Sequence, residues 1–176
     1  MQFELLITKY ISNIFIADLK YTFGMADKRK EFLKKSDFLN AGSCEKEPEA
    51  WVEKAVEHME MHYDLITSVP PKNVKLTPDD DLIYDRFIAE FPDFKLDLLD
   101  KEHLRTEESK MKWREFTEGF GELVRDSKLG TLIRIDSSGG YTEDNTLIVL
   151  RLQFLAIEIA RNKHGLNDGL KRKNDL

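Results

Sequence analysis

The sequence predicts a mainly α-helical domain, α+β at most, with a short two-stranded β element and a buried C-terminal helix. Between residues 147 and 160 the only strongly polar side chains are Arg151, Gln153 and Glu158. An element there is apolar around most of its circumference and has to be covered on most sides. Upstream segments repeat apolar residues at three- and four-residue steps, the spacing of helices with one core-facing stripe. Strand-like alternation is confined to two short stretches, residues 94–99 and 131–136.

A chain of 176 residues that is 41% hydrophobic is long enough to bury a core as one domain. That domain is expected over residues 47–165, preceded by an extension (1–24) and a mobile lead-in (25–46) and followed by a frayed tail (166–176). A net charge of -6 argues against a nucleic-acid binder and against attraction to anionic membranes. Cys44 is the single cysteine, so no intrachain disulfide can form and a structural zinc site lacks its ligands. A reducing, intracellular compartment follows as the expectation.

The first 24 residues are moderately apolar, but their longest charge-free run, residues 10–17, is far short of the ~20 residues a membrane span needs. No small-residue cleavage pattern marks a secretory signal. Two expectations carry equal weight for this segment. It is an extension outside the domain, with Met25 as the initiator, or an amphipathic helix packed loosely on it.

From Glu47 the pattern turns helical. Pro48 suits a first turn, and Trp51, Val52, Ala55, Val56, Met59, Tyr63, Leu65 and Ile66 form one wide stripe. His58 and His62 share the spacing of a two-histidine metal pair, but no third ligand is placed to complete it. They are expected as solvated or partner-facing imidazoles. Pro70, Pro71 and Pro78 stiffen the next connection. Thr77 or Asp79 then caps a helix over residues 80–91, stopped by Pro92, with the acids Asp79, Asp80 and Asp81 solvated at its positive end. Residues 94–99 read as a strand that pairs with residues 131–136. Between them, residues 106–126 read as a helix in which Gly119 and Gly121 mark a kink or a close contact. The turn Ser137-Ser138-Gly139-Gly140 ends the second alternating stretch, and residues 142–145 offer helix caps. Residues 146–150 stay open between strand, favoured by their β-branched side chains, and the start of the final helix, favoured by the pattern that follows.

Serine nucleophile elbows, Walker-type lysines, dinucleotide-binding glycine sets and paired cysteines are all missing from the sequence. The best polar constellation is Arg134, Asp136, Tyr141, Arg151, Glu158 and Arg161. On a helix Glu158 faces Arg161 one turn on and lies two turns from Arg151. Charges this close to a core normally pair for solvation, which favours a structural ion-pair network. The functional counterpart is a charged rim around a partner-binding groove, and a carboxylate acid–base mechanism ranks third because no nucleophile accompanies it.

The run Gly130-Thr131-Leu132-Ile133-Arg134-Ile135-Asp136, then Gly140-Tyr141-Thr142-Glu143-Asp144-Asn145-Thr146, then Arg151-Leu152-Gln153-Phe154-Leu155-Ala156-Ile157-Glu158-Ile159-Ala160-Arg161-Asn162, closely resembles the polysaccharide biosynthesis domain-containing protein 1 family. Tyr63-Asp64-Leu65-Ile66-Thr67-Ser68-Val69, Lys75-Leu76-Thr77, Asp81-Leu82-Ile83-Tyr84 and Lys112-Trp113-Arg114 resemble the family's earlier segments in the same order. The resemblance implies a cytosolic, dedicated, ATP-independent chaperone of translation elongation factor 1-alpha. Such a protein engages that factor's GTP-binding domain as it leaves the ribosome, with help from the nascent polypeptide-associated complex. It implies a monomer without cofactor or metal, found in the cytoplasm and also the nucleus, and not an enzyme. The six residues of the constellation are then candidates for the client contact or its support. The rival expectation, suggested by the family's name, is a methyltransferase-like enzyme linked to polysaccharide biosynthesis. It has no glycine-rich loop for a methyl donor here.

Overall fold

The structure, a computed structural model, describes residues 48–121, 123–142 and 144–170, with side chains described from Lys54 onward. The expectations for residues 1–24, for Met25 and for the lead-in at 25–46 lie outside the described residues. The described fold is mainly helical with a small two-stranded antiparallel sheet.

Helix α1 (Pro48–Ser68) buries Ala55, Val56, Met59, His62 and Ile66 against strand β1 (Gly130–Arg134). Leu65, expected in that stripe, points outward and is 38% exposed. A 3-10 turn (Pro71–Asn73) leads to helix α2 (Asp80–Glu90). Neither Thr77 nor Asp79 caps α2 with its side chain. Asp80, expected in solvent, is buried instead and holds the loop before it. It accepts from the Leu76 and Thr77 amides at 2.9 and 2.7 Å and from the Thr77 hydroxyl at 2.9 Å. The same carboxylate sits at the positive end of α2, where negative charge is favoured. Asp80→Ala is expected to cost about 1–2 kcal/mol, the usual range for losing a cap or orphaning buried amides. Urea unfolding checks this, and an unchanged midpoint would mean that water replaces the carboxylate.

Helix α3 (Lys101–Leu104) is capped by Asp100 and helix α4 (Glu107–Glu118) by Thr106, whose side chains accept from the His103 and Ser109 amides. The helix expected to run to residue 126 stops at Glu118. Gly119 is its C-cap, and Gly121 follows in the left-handed region at φ 52°. The stop is enforced from outside as well. The Arg86 guanidinium donates to the Gly119 carbonyl at 2.9 Å and lies so close that a Cβ at position 119 would sit 2.5 Å from Nη2. Gly119 is therefore a close contact at a helix end.

Strand β1 pairs antiparallel with strand β2 (Thr146–Leu150), in a register running from Gly130 opposite Leu150 to Arg134 opposite Thr146. This settles residues 146–150 as strand. Of the expected capping side chains, Thr142 and Asn145 serve the turn before β2: Thr142 Oγ1 accepts from the Asn145 amide at 3.2 Å. Residues 94–99 do not form a strand. A single bridge joins Leu98 to Asp136, flanked by hydrogen bonds from Leu99 N to Ile135 O and from Ser137 N to Asp97 O. The amides that would extend the ladder on either side are already used: Ile135 N donates to Asn145 O beside β2, and Gly139 N donates to Asp136 O within the turn.

Helix α5 (Arg151–Lys163) starts directly from β2 and is buried from Leu152 to Asn162. A helix start leaves four amides without helical partners. Here the loop before β1 takes two of them, with Arg151 N donating to Leu129 O and Leu152 N to Ser127 O, while Gln153 Oε1 accepts from Leu150 N. Around α5 lie α1, α2, α4 and the sheet, with an aromatic cluster of Phe87, Phe91, Phe94, Trp113 and Phe116 in which Phe91 stacks on Trp113 at 4.2 Å. Within the stretch expected as a frayed tail, Asn167 is fully buried and Leu170 packs down; residues 171–176 lie outside the described residues. Among the described residues no helix is long and apolar enough to cross a membrane.

Candidate functional site

Three of the six candidate residues meet at the centre of the molecule. Glu158, on the inner face of α5, lies between Arg134 at the end of β1 and Arg161 one turn further along its own helix; none of the three has exposed surface. Arg134 Nη2 donates to both carboxylate oxygens at 3.3 and 3.0 Å, and Arg161 Nη1 donates to Oε1 at 2.8 Å. Asn167 completes the ring. Its amide nitrogen donates to Glu158 Oε2 at 3.0 Å and to Asn162 Oδ1 at 2.7 Å, and its oxygen accepts from Arg134 Nη2 at 2.7 Å.

The outer nitrogens of the two guanidiniums bind backbone. Arg134 Nη1 donates to the carbonyls of Ser137 and Gly139 at 2.8 and 3.3 Å. Arg161 donates to the carbonyls of Leu96, Arg134 and Ile135 at 2.8, 2.9 and 3.1 Å. One buried knot thus ties the end of β1, the turn after it, the segment before α3 and the residues after α5. Burial alone would push the Glu158 carboxyl up, but the Arg134 and Arg161 charges outweigh it and hold the group down at about 2.

His62 closes the α1 side. It is buried, with Nε2 3.7 Å from Glu158 Oε2 and its ring edge-on to Phe154 at 4.9 Å, as is that of His58. The two histidines expected in solvent or against a partner instead line the core. Burial lowers His62 to about 4, with the Glu158 carboxylate opposing and the charges of Arg134, His58 and Arg161 adding to the shift. His58 is likewise lowered to about 4, by burial and then by Arg151. Among the described residues no group of three His, Cys, Asp or Glu could hold a metal ion.

Tyr141 borders the knot without joining its charges. Its ring lies 5.8 Å from the Arg134 guanidinium carbon, and its hydroxyl is 3.4 Å from His62 Nδ1. Burial, and then the Glu158 carboxylate, push that hydroxyl above the ordinary phenol range. Gly140 is needed beside it, because a Cβ there would sit 3.0 Å from the Tyr63 hydroxyl.

Asp136 and Arg151 stand apart. Asp136 is exposed and organises the turn after β1, accepting from the Ser138 hydroxyl and amide at 2.7 and 2.8 Å, which lowers its carboxyl. Arg151 is half-buried at the first residue of α5, about 10 Å along the helix from Glu158. Asn167 and Asn162 are the site residues to which sequence reasoning gave no role, while His62 was read there as a solvated or partner-facing imidazole and Asn145 as part of a helix-capping run. Asn145 accepts from the Asp136 amide at 2.7 Å and donates to the carbonyls of Asp136 and Gly140 at 3.1 and 2.9 Å, which fixes the turn.

Chemically, the knot is closed. Most of its donors and acceptors are spent on one another and on backbone; Arg134 Nε, Asn162 Nδ2 and His62 Nε2 are buried without a hydrogen-bond partner, and the three charged side chains are sealed from solvent. What faces solvent above it is the turn carrying Asp136 and Ser138 together with the outer side of α1.

A family model described as "PBDC1 protein" matches residues 47–172. The chain is 49% identical to human "Protein PBDC1" over 118 residues, which is 67% of this chain and 51% of the human protein. It is 46% identical to the Saccharomyces cerevisiae "Protein PBDC1 homolog" over 118 residues, covering 65% of this chain and 81% of that one. The chain thus spans about half the length of its human relative. Among solved structures it resembles the solution NMR structure of protein yst0336 from Saccharomyces cerevisiae, with a TM-score of 0.67 at 42% identity over 73% of this chain and 91% of that one.

Proposed function

The chain belongs to the PBDC1 protein family, and from that premise we propose that it is a binding protein: an ATP-independent, dedicated chaperone of translation elongation factor 1-alpha. It holds the GTP-binding domain of the nascent factor in the cytoplasm, at or near the ribosome, beside the nascent polypeptide-associated complex. One observation carries this choice. Arg134, Glu158 and Arg161, the candidate residues best equipped for chemistry, are sealed from solvent and committed to structural partners. A protein so built works through its surface, and with 33 acids against 27 lysines and arginines that surface suits a basic client.

Calorimetry of the full chain against the nucleotide-free GTP-binding domain tests the proposal, with S-adenosylmethionine titrated in parallel. Saturable binding to the GTPase domain, weakened by salt, is the expected result. Saturable binding to the methyl donor without binding to the GTPase domain would overturn the choice in favour of an enzyme.

A further inference from the structure

Among the described residues, no element packs on the outer face of α1. Seven large apolar side chains are exposed among the described residues, and four of them are scattered one to an element: Leu82 on α2, Leu98 before α3, Met111 on α4 and Leu123 after it. The other three, Met61, Leu65 and Val69, lie four residues apart on the one helix and its exit. Four-residue steps place successive side chains along a single helical ridge. Met61 is 59% exposed, the most of the seven. Contiguous exposed apolar surface of this kind marks contact sites, and methionine adapts to varied partners.

On α1 beyond Lys54 the charge around the ridge is acidic. Glu57 stands one four-residue step before Met61, Glu60 and Asp64 form the neighbouring row, and neither Glu57 nor Glu60 has a cationic partner among the described residues. Lys54, near the start of the described face, is the only lysine or arginine on α1 from that point on. An apolar ridge with a carboxylate row beside it complements a helix that carries its own apolar stripe next to lysines or arginines. It repels acidic peptides and nucleic acid alike.

We propose that this face of α1 is a docking site for a cationic amphipathic helical segment of a partner protein. The core does not need Met61, Leu65, Glu57 or Glu60, so the face can be altered without disturbing the buried knot beneath it. The inference concerns the surface and the chemistry of its occupant, and it stands whether or not the client named above is the partner.

The test uses the full chain and a fluorescent synthetic helix of leucine and lysine in amphipathic order, with a scrambled peptide of equal composition as control. Anisotropy titration is expected to show saturable binding of the ordered peptide that weakens with salt. Met61→Ser with Leu65→Ser, and separately Glu57→Lys with Glu60→Lys, should each weaken it about tenfold or more. Leu82→Ser with Leu123→Ser should leave it unchanged. Thermal melts of all variants, expected to match the parent, separate lost binding from lost folding. The proposal is overturned if the scrambled peptide binds equally, if the Leu82/Leu123 pair weakens binding as much as the α1 pairs, or if no saturable binding occurs. Sedimentation revealing self-association through α1, with no peptide binding, would likewise replace the proposed occupant with a second copy of this chain. Repeating the titration with the GTP-binding domain keeps the two proposals separable, since peptide binding can survive the failure of client binding.

Discussion

Glu158→Ala is expected to destabilise the domain by about 3–5 kcal/mol, the usual cost of removing one partner from a buried ion pair. Domains of this size are stable by about 5–15 kcal/mol, so the loss takes a large share of what there is. The damage comes from what stays behind. Arg134 and Arg161 would face each other in the core with the central charge gone, and Asn167 would lose an acceptor. Glu158→Gln should be nearly as harmful, because its amide nitrogen would point donors at donors. Chemical denaturation monitored by circular dichroism measures both. A sharper version replaces Arg134, Glu158 and Arg161 together with methionine or leucine. For a simple buried ion pair such a swap is often neutral. Here the two arginines also serve the carbonyls of Leu96, Arg134, Ile135, Ser137 and Gly139, and each buried group left unpaired costs about 1–3 kcal/mol. The triple variant is therefore expected to be no more stable than Glu158→Ala. Recovery of stability in the triple variant would show that the backbone bonds matter little.

Stability is also expected to fall as the pH drops below about 6.5. His62 takes up its proton near 6.5 when unfolded but only near 4 when folded. Between those values the unfolded state binds more protons, so the contribution of this group is complete above 6.5 and is lost as the pH falls toward 4. A shift from 6.5 to about 4 corresponds to roughly 3 kcal/mol at about 1.4 kcal/mol per unit. The groups facing His62 are Glu158, which opposes the shift, and Arg134, Arg161 and His58, which add to it, with the Tyr141 hydroxyl nearby. Glu158 acts with the same sign further down, since its carboxyl is held near 2 and its contribution is lost only below the ordinary carboxylate range. Urea midpoints measured from neutral pH down to the mid-4s should slope downward in the parent and less steeply in His62→Gln, where the remaining slope belongs to His58, likewise held at about 4. Midpoints that stay level across that interval in the parent would show that His62 is protonated in the fold.

The helical class, the antiparallel element and the buried last helix were legible because each leaves a local mark. The run at 152–160 is too apolar to be covered on one side only, and periodicity marked α1, α2 and α4. Several of the errors lie where a partner elsewhere in the fold took a backbone group that local pattern assigned differently. Strand β2 and the turn after β1 took the amides that a ladder with residues 94–99 needs, and Arg86 closes on the Gly119 carbonyl where α4 ends. His62 looked like a surface imidazole because nothing near it in sequence announces Phe154 or Glu158. Asn167 carried no signal at all, being one polar residue in a polar tail. Of the candidate residues, Glu158 and Arg161 could be paired from helical spacing, and Arg134 only from its place in the same apolar stretch. That Asp136 and Arg151 would diverge from them depended on where β1 stops and α5 begins.

The placement of the knot has a consequence for synthesis. Its last member, Asn167, is joined nine residues back to Glu158 and 33 residues back to Arg134, and Arg161 reaches 65 residues back to Leu96. A ribosome releases the chain from the other end, so α1 to α4 emerge with their inner faces bare and the domain locks only once residue 167 has cleared the exit tunnel. Until that moment this protein is itself an incompletely folded nascent chain.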